Sequence, residues 1–317
     1  MVYQEGRKKR YRLKVGRILI TICMTILLIC IVLFLWKWLN GIDFVALVDG
    51  KYISSSEMEV STQPSKAVAK EVRQGELILV NNQIKAPESS ASDMISIFDR
   101  KSGSYYVRDK NVIVKEEIME PINRMMDDFY KNTGLDDVMI ISGFRDEALQ
   151  QTLYERELNK TGLNSSSLVA KPGYSEHQTG YVIDLGLYGD GREFDGKGAY
   201  KWLLENAHLY GFVQRYQEDK VNITMIDNEP WHFRYVGIAH AHAMKQNHLC
   251  LEEYIDFLKN YPYNGTHLEI QTQSKDNYEI YYIPDCTPSQ LQELLPKDNL
   301  YELSGNNIDG YIVTEKV

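Results

Sequence analysis

The chain has 317 residues, of which 44% are hydrophobic and 25% charged, proportions that are ordinary for a globular protein. Its formal net charge of −9 conceals an asymmetry, because residues 1–17 contain seven basic side chains and one acidic one. Residues 18–317 carry 28 basic and 43 acidic side chains, a balance of −15. Nucleic-acid binding requires a basic face, so this acidic body argues against nucleic acid as a partner.

An uncharged run of 19 residues, 18–36, follows the basic tail. At ~1.5 Å per residue, a helix of that length crosses a hydrocarbon core of ~30 Å. Basic residues favour the cytoplasmic side, and Trp36 and Trp38 suit the opposite interface. We therefore predict a cytoplasmic tail over 1–17, a single transmembrane helix over 18–38 and an extracytoplasmic remainder. A cleaved signal peptide is the alternative, although the run is longer than the usual signal core.

The remainder divides by composition and pattern. Residues 39–74 are polar and turn-rich and predict a stalk, residues 75–260 predict the main folded domain, and residues 261–317 predict a small β-rich extension. Strands are predicted over 77–80, 138–141, 181–183, 223–226, 231–236, 279–283 and 310–314. Helices are predicted over 116–131, 146–159, 197–210 and, as one helix or two, 238–259. These elements indicate an α+β fold with a mostly antiparallel sheet and helices packed on it.

Three segments carry chemistry, and the first runs from Ser175 to Asp184. It places His177 and Asp184 seven positions apart, and both residue types are natural zinc ligands. A turn at Gly180 followed by a strand can bring the two to one metal ion. Taken alone, the pair is more typical of two hydrogen-bonded loop residues.

The other two segments are E-P-W-H at 229–232 and S-G-F-R at 142–145. His232 suits a third ligand, and Glu229 suits a base that deprotonates an attacking water. The competing interpretation is a core histidine beside a surface acid. Arg145 stands where a strand gives way to a helix, a position from which it can stabilise an oxyanion or hold a carboxylate. A surface ion pair is the alternative for this arginine.

Together the segments resemble the VanY-type D,D-carboxypeptidases, part of a wider family of zinc peptidases of the cell wall. The family pattern is S-G-[YF]-R, then S-x-H-x-x-x-x-x-x-D, then E-x-W-H. This chain has S-G-F-R at 142–145, the second element from Ser175 to Asp184 and the third at 229–232, in the same order. The resemblance spans roughly residues 75–260.

The resemblance implies one zinc ion per chain, bound by His177, Asp184 and His232. It implies that Glu229 is the general base and that Arg145 stabilises the tetrahedral oxyanion. Roles in substrate binding are implied for Ser175, Gln150 and Trp231. The implied reaction is removal of the terminal D-Ala from peptidoglycan precursor peptides at the outer face of the cell membrane. It would serve either glycopeptide (vancomycin) resistance or ordinary wall maturation.

Two other functions stay open at this point. The anchor counts against a dipeptidase acting on free D-Ala-D-Ala, and retention of the ligands and base counts against a non-catalytic wall-binding module. The sequence lacks S-x-x-K and H-E-x-x-H, which argues against serine-type penicillin-binding enzymes and thermolysin-like proteases. His240 and His242 would point to different faces of a helix, so they do not predict a second metal site. Cys250 and Cys286 are compatible with a disulfide or with two free thiols.

Overall fold

The computed structural model describes residues 46–48, 51–53, 71–189, 193–297 and 300–317. The chain divides into two units, Met1–Ser65 and Lys66–Val317. In the first unit, β1 (Ala46–Val48) pairs antiparallel with β2 (Lys51–Ile53). The predicted cytoplasmic tail, the transmembrane helix and most of the stalk lie outside the described residues. Among the residues that are described, no helix has the length and apolarity needed to cross a membrane.

The second unit is built on a five-stranded sheet. Its strands are β4 (Tyr106–Val107), β6 (Val138–Ser142), β7 (Val182–Leu187), β8 (Phe212–Tyr216) and β9 (Glu229–Tyr235). Their order is β4-β6-β7-β9-β8, with antiparallel neighbours except for the parallel pair β4–β6. A small antiparallel pair, β3 (Ile95–Ser96) and β5 (Ile113–Val114), lies apart from this sheet. The α+β class is therefore confirmed.

Eight α-helices are found among the described residues: α1 (Ile97–Arg100), α2 (Met119–Thr133), α3 (Glu147–Thr161), α4 (Lys201–Asn206), α5 (Val221–Thr224), α6 (Ile238–Asn247), α7 (Leu251–Leu258) and α8 (Pro288–Leu294). Short 3-10 helices span Ala91–Asp93, Glu116–Ile118, Glu176–Thr179, Gly198–Tyr200, Ala207–Tyr210 and Glu218–Lys220. The helices predicted over 116–131 and 146–159 are confirmed as α2 and α3. The region 238–259 forms two helices, α6 and α7.

Local sequence explains where the two long helices begin and end. Ile122, Met125 and Phe129 recur at helical spacing and bury one face of α2 against the sheet. Gly134 adopts φ 73° at its end, a left-handed conformation that favours glycine. Asp146 caps α3, because its side chain accepts a hydrogen bond from the Leu149 N–H.

The two faces of the sheet differ in chemistry. Successive side chains of a strand point to opposite faces. Ile183 and Leu185 of β7 pack into the main hydrophobic core with α2, as does Ile140 of β6. Asp184 and Gly186 therefore project from the other face of β7, and the functional residues gather there.

Residues 261–317 form a second sheet, of β10 (Leu268–Gln271), β11 (Asn277–Pro284), β12 (Tyr301–Gly305) and β13 (Gly310–Lys316). Its order is β10-β11-β13-β12, and all pairs are antiparallel. One face packs on α6 and α7, and the other packs on α8. Across the first of these contacts, His240 joins Tyr254 and Thr314 by hydrogen bonds of 2.8 and 2.9 Å.

Three local predictions are wrong. Residues 77–80 are buried but form no strand, because the Leu77 N–H donates to Ser304 Oγ of β12 and the Leu79 N–H donates to Asn306 O just after that strand. The strand predicted over 223–226 is not formed, because residues 221–224 form helix α5, which ends at Met225 with φ 58°. The segment 197–210 is helical but not one helix, because 3-10 turns flank the six residues of α4.

The structure also decides whether Cys250 and Cys286 form a disulfide and whether His240 and His242 share a site. Cys250 and Cys286 are free thiols. His240 is buried between Tyr254 and Thr314, whereas His242 donates from Nδ1 to Ile238 O and accepts at Nε2 from the Gln273 N–H. These two histidines therefore hold helix α6 in place and do not share a ligand site.

Candidate metal centre and active site

Three buried side chains that are distant in the sequence meet at one point of the sheet. Asp184 on β7 and His232 on β9 are direct neighbours across the strand pair. His177 reaches them from the 3-10 helix Glu176–Thr179, which Gly180 ends at φ 78°. One ligand atom of each residue lies within 4.8 Å of those of the other two. The predicted trio thus comes together on the polar face of the sheet.

The orientation of each ring is fixed by its second nitrogen. His177 Nδ1 lies 2.6 Å from Gly143 O, so Nδ1 carries the proton and donates. The lone pair of Nε2 then faces Asp184 Oδ2 at 3.1 Å. His232 faces the same carboxylate with its Nδ1, which lies 3.1 Å from Asp184 Oδ1.

The donor set fits a divalent cation. Each oxygen of the buried Asp184 carboxylate faces one imidazole nitrogen, Oδ1 facing His232 Nδ1 and Oδ2 facing His177 Nε2. Burial disfavours a charged His232 ring, yet the carboxylates of Asp184, Glu176 and Glu229 together raise the pKa of His232 to about 9. The position between these carboxylates therefore favours positive charge. Two imidazoles and one carboxylate are also the ligand types of catalytic zinc sites, which keep a further coordination position open.

Glu229 lies beside this cluster at the start of β9. Its Oε2 is 3.3 Å from His232 Nδ1, and the residue is 5% exposed. Burial raises the pKa of the Glu229 carboxyl to about 7. A carboxyl group with a pKa near neutral pH can both accept and return a proton, which is the requirement for a general base that later acts as an acid.

Arg145 follows β6 and points at the same centre. Its Nη2 donates to Asp184 Oδ2 at 2.7 Å, and its Nε donates to Ser142 Oγ at 3.0 Å. A third contact runs from Nη1 to Gln150 Oε1 at 3.4 Å. Although burial opposes ionisation, His177 and Arg145 hold the pKa of Asp184 well below its usual range. Arg145 is therefore anchored on three sides with its guanidinium against the candidate metal centre.

The centre opens into a pocket of about 270 Å³. All of the predicted substrate-binding side chains line it, namely Ser175, Gln150 and Trp231. Gln150 is buried and donates from Nε2 to Ala170 O at 2.7 Å, so it also fixes the loop after α3. The same loop is joined to the loop before β9, because Ser167 Oγ donates to Asp227 Oδ2 at 2.6 Å and Asp227 N–H donates to Ser167 O at 3.3 Å. These bonds link two walls of the pocket.

Sequence reasoning missed a buried ionic layer behind the ligands. Glu176 Oε1 accepts from Arg215 Nε at 2.8 Å and from Arg234 Nη1 at 3.0 Å. Arg215 continues to Glu252 on α7 in a bidentate pair of 2.7 and 2.8 Å. Burial opposes ionisation of Glu176, but the two arginines hold its pKa well below the usual value. The position of Glu176 next to His177 was the only signal in the sequence.

This layer contacts the ligand set at one point. Glu176 Oε2 and His232 Nε2 are both buried without a hydrogen-bond partner, and they face each other at 3.6 Å. When His232 Nδ1 offers its lone pair to a cation, Nε2 carries the proton and points to this carboxylate. Carboxylates in this position orient metal-binding histidines in many sites. Tyr216, which sequence reasoning also missed, packs against His232 with the two ring centroids 4.8 Å apart.

Comparison with known proteins agrees with this geometry. The sequence profile of the VanY family, described as D-alanyl-D-alanine carboxypeptidase, matches residues 111–238. The chain is 34% identical over 267 residues to a D-alanyl-D-alanine carboxypeptidase of Enterococcus faecium, covering 83% of this chain and 82% of that protein. It is 37% identical over 158 residues to the bifunctional D-Ala-D-Ala dipeptidase and carboxypeptidase VanXYC of Enterococcus gallinarum, covering 47% and 81%.

A solved structure extends the similarity to most of the second unit. The vancomycin-resistance D,D-dipeptidase VanXYg, crystallised with a D-Ala-D-Ala phosphinate analogue, superposes with a TM-score of 0.67 and 30% sequence identity. The superposition covers 78% of this chain and 96% of that structure.

Proposed function

The chain belongs to the VanY family of D-alanyl-D-alanine carboxypeptidases, and on that premise we propose that it is a zinc-dependent hydrolase acting on peptidoglycan precursor peptides. The bond it cleaves is the one between the two terminal D-alanines. The convergence of His177, Asp184 and His232, with the Glu229 carboxylate 3.3 Å from His232, carries this proposal. Membership of the family supports D-Ala-D-Ala hydrolysis as the reaction.

The three converging residues would hold the zinc ion through His177 Nε2, a carboxylate oxygen of Asp184 and His232 Nδ1. A zinc ion bound in this way acts as a Lewis acid and acidifies water at near-neutral pH. The facing of each Asp184 oxygen by one imidazole nitrogen supports the assignment, because two imidazoles and a carboxylate are the ligand types of a catalytic zinc site.

Glu229 would move the proton in both halves of the reaction. Its carboxylate accepts a proton from the attacking water as the oxygen adds to the carbonyl carbon of the penultimate D-Ala. The same carboxyl then donates that proton to the nitrogen of the leaving D-Ala as the peptide bond breaks. Burial supports this role, since a pKa of about 7 makes both states accessible at neutral pH.

Arg145 would stabilise the negative charge that develops on the carbonyl oxygen. Its guanidinium is already held against the centre by Ser142, Gln150 and Asp184, so little reorganisation is required during the reaction. Ser175 and Trp231 line the pocket beside it and are proposed to contact the terminal D-Ala.

The decisive experiment measures D-Ala release from a pentapeptide ending in D-Ala-D-Ala by the purified full-length protein. Release should stop when a chelator removes the metal and should return when zinc is added. Release that persists without metal would contradict the proposal. Free D-Ala-D-Ala belongs in the same assay, because one relative is bifunctional and another is a dipeptidase. A higher kcat/KM for the free dipeptide would favour dipeptidase activity.

The physiological role follows from the location predicted for the chain. An N-terminal anchor would place the active site at the outer face of the membrane, where precursor peptides appear. Loss of the terminal D-Ala would remove the group that glycopeptide antibiotics bind. We propose a contribution to vancomycin resistance, with wall maturation as the competing role. Expression in a susceptible host should raise the tolerated vancomycin concentration, and Glu229→Gln should abolish the gain. Equal tolerance with the variant would exclude a catalytic contribution.

A further inference from the structure

Four large apolar side chains are exposed to solvent on two short segments beside the candidate active site. Leu163 and Leu168 lie in the loop that follows α3, whereas Ile223 lies in α5 and Met225 at its end. The most exposed of the four are Leu163, at 61%, and Met225, at 60%. We call these four side chains the apolar rim. Single exposed apolar residues are common on proteins, whereas a patch of them marks a surface that contacts something else.

Hydrogen bonds hold the two segments of the apolar rim together. Ser167 Oγ donates to Asp227 Oδ2 at 2.6 Å, and the Asp227 N–H donates to Ser167 O at 3.3 Å. The carbonyl oxygen of Met225 is held in turn, because it accepts from Asn82 Nδ2 at 3.4 Å. The four side chains therefore belong to one surface of the second unit.

The apolar rim borders the mouth of the active-site pocket. Leu168 lines that pocket, as does Ile226, which directly follows Met225. Leu163 and Met225 do not line it, so contact with a substrate in the pocket does not explain them. Met225 also adopts φ 58°, a conformation more usual for Asn or Gly, so neither its backbone nor solvent favours a methionine there. Whatever covers the rim thus lies directly outside the entrance to the active site.

The segments that carry the rim contain no charged side chain, although 25% of the chain is charged. Residues 161–170 have none, and in residues 221–227 only Asp227 is charged, with its carboxylate accepting from Ser167. Moving a charge out of water is costly, whereas moving an apolar side chain out of water is favourable. Both segments are therefore suited to a surface that excludes water.

The sequence indicates which surface this is. The predicted transmembrane helix ends at residue 38, and the 32 residues 39–70 follow it. A chain of that length spans at most about 115 Å, so the predicted anchor would keep the second unit close to the bilayer. Such a tether makes contact with the membrane an intramolecular event, for which a small apolar surface is sufficient. Apolar side chains of this kind insert at the boundary between lipid headgroups and acyl chains.

From these observations, and resting on the proposed function and the predicted anchor, we propose that the apolar rim inserts into the outer surface of the membrane. The partner is the lipid bilayer itself, and the mouth of the active-site pocket faces it. A precursor peptide attached to a membrane lipid would then reach the metal centre without leaving the membrane surface.

Fluorescence quenching tests this contact in the full-length protein reconstituted into phosphatidylcholine vesicles. Leu163→Trp adds an indole to the rim, and Phe98→Trp adds one at an exposed apolar site of α1, outside the active-site pocket. Lipids with brominated acyl chains should quench the fluorescence added by Leu163→Trp and leave that added by Phe98→Trp unchanged. The quenching should persist in 1 M salt, which screens attraction between charges and leaves apolar contacts intact.

Activity on two substrates separates the rim from the pocket. Leu163→Gln combined with Met225→Asn removes its two most exposed side chains, and Asn suits a left-handed backbone. For a D-Ala-D-Ala-ended pentapeptide attached to a lipid of the same vesicles, kcat/KM should fall by about tenfold or more, since a linked second contact typically contributes 10²- to 10⁴-fold. For the water-soluble pentapeptide, kcat/KM should match the wild type. Phe98→Gln combined with Ile308→Gln, at two other exposed apolar sites, is the matched control and should change neither value.

Three results would overturn this proposal. They are fluorescence of Leu163→Trp that brominated lipids do not quench, an equal loss of kcat/KM for both substrates, and a chain that does not associate with the vesicles. Self-association of the protein that leaves Leu163→Trp unquenched would assign the rim to a second copy of the chain. Failure of the zinc-loaded wild type to cleave the water-soluble pentapeptide would instead contradict the proposed function, and quenching of Leu163→Trp does not depend on it.

Discussion

The two sheets of the second unit bury very different side chains. The sheet of β10–β13 buries aliphatic and tyrosine side chains on both faces, and few polar groups interrupt them. The sheet of β4 and β6–β9 packs one face on the main hydrophobic core, and β8 also contributes Val213 to the core shared with the second sheet. On its other face it buries two histidines, three carboxylates and two arginines: His177, His232, Glu176, Asp184, Glu229, Arg215 and Arg234.

This contrast in buried side chains indicates that the functional residues lie on the sheet of β4 and β6–β9. A buried polar atom without a partner costs free energy, so a fold retains one only where something else satisfies it or where activity requires it. His232 Nε2 and Glu176 Oε2, which are buried without a hydrogen-bond partner, face each other beside the candidate metal centre. Where α6 packs on the second sheet, buried His240 is hydrogen-bonded at both ring nitrogens. Substitutions in the first sheet should therefore change chemistry, and those in the second should change stability.

The largest expected effect is that of Glu229→Gln, which keeps the shape of the side chain and removes the base. We expect kcat for D-Ala release to fall by about 10² to 10⁴-fold, the range that proton transfer contributes. Zinc content should remain at one ion per chain. Glu218→Gln is the matched control at an exposed position. A Glu229→Gln variant that retains more than a tenth of the wild-type kcat would contradict the role of Glu229 as the base.

The second sheet should respond to loss of packing. Ile283 on β11 is fully buried, and Ile283→Ala should lower the free energy of unfolding by about 2–5 kcal/mol. Below the unfolding temperature, kcat should match the wild type, since Ile283 packs with α8 and β13 and does not line the active-site pocket. Ile308→Ala, at a site 43% exposed, should change stability by less than about 0.5 kcal/mol. A large loss of kcat in folded Ile283→Ala would show that the second sheet is coupled to the chemistry.

The buried ionic layer behind the candidate ligands allows a change in metal binding to be separated from a change in stability. Glu176→Gln removes the carboxylate that faces His232 Nε2, so zinc affinity should fall about 10- to 100-fold in competition with a chelator. Glu252→Gln is the matched control, because Glu252 pairs with the same Arg215 but is not among the residues that line the active-site pocket. This control should lower the unfolding temperature with little effect on zinc affinity. Equal zinc affinities in the two variants would assign Glu176 a purely structural role.

The smallest expected effect concerns pH. Burial lowers the pKa of His240 to about 3, whereas an unfolded histidine titrates near 6.5. The unfolded chain therefore binds a proton that the folded chain excludes, and stability falls as the pH decreases from 7 through 6.5. Between pH 7 and 5.5 this histidine should account for about 1 kcal/mol of the loss. This contribution to the pH dependence should be absent in His240→Gln when the free energy of unfolding is measured with denaturant at pH 7 and at pH 5.5. An identical pH dependence in the variant would contradict a buried neutral His240.

Much of the site could be predicted because its residues occur in short, spaced motifs. The resemblance of these motifs to the VanY-type enzymes implies His177, Asp184, His232 and Glu229 as ligands and base, and the structure brings all of them together. Helix α2 was predictable from its apolar periodicity and the glycine at its end, and α3 from the acidic residues of its first turn.

What could not be predicted depends on contacts distant in the sequence. Arg215 and Arg234 look like ordinary strand residues until the fold places Glu176 between them. Residues 77–80 have the composition of a strand, but their backbone partners lie more than 220 positions away at Ser304 and Asn306. The point at which β7 and β9 separate, after the pair of Asp184 and His232, is likewise specified by no local pattern.

The central claim is that two imidazoles and one carboxylate from this sheet bind one catalytic zinc ion. X-ray absorption at the zinc edge of the full-length protein, loaded with one equivalent of zinc, tests it directly. The account predicts only nitrogen and oxygen neighbours at about 2.0–2.2 Å, two of them imidazoles, and the loss of one imidazole in His232→Ala. A sulfur neighbour at about 2.3 Å, or a spectrum unchanged by that substitution, would contradict it.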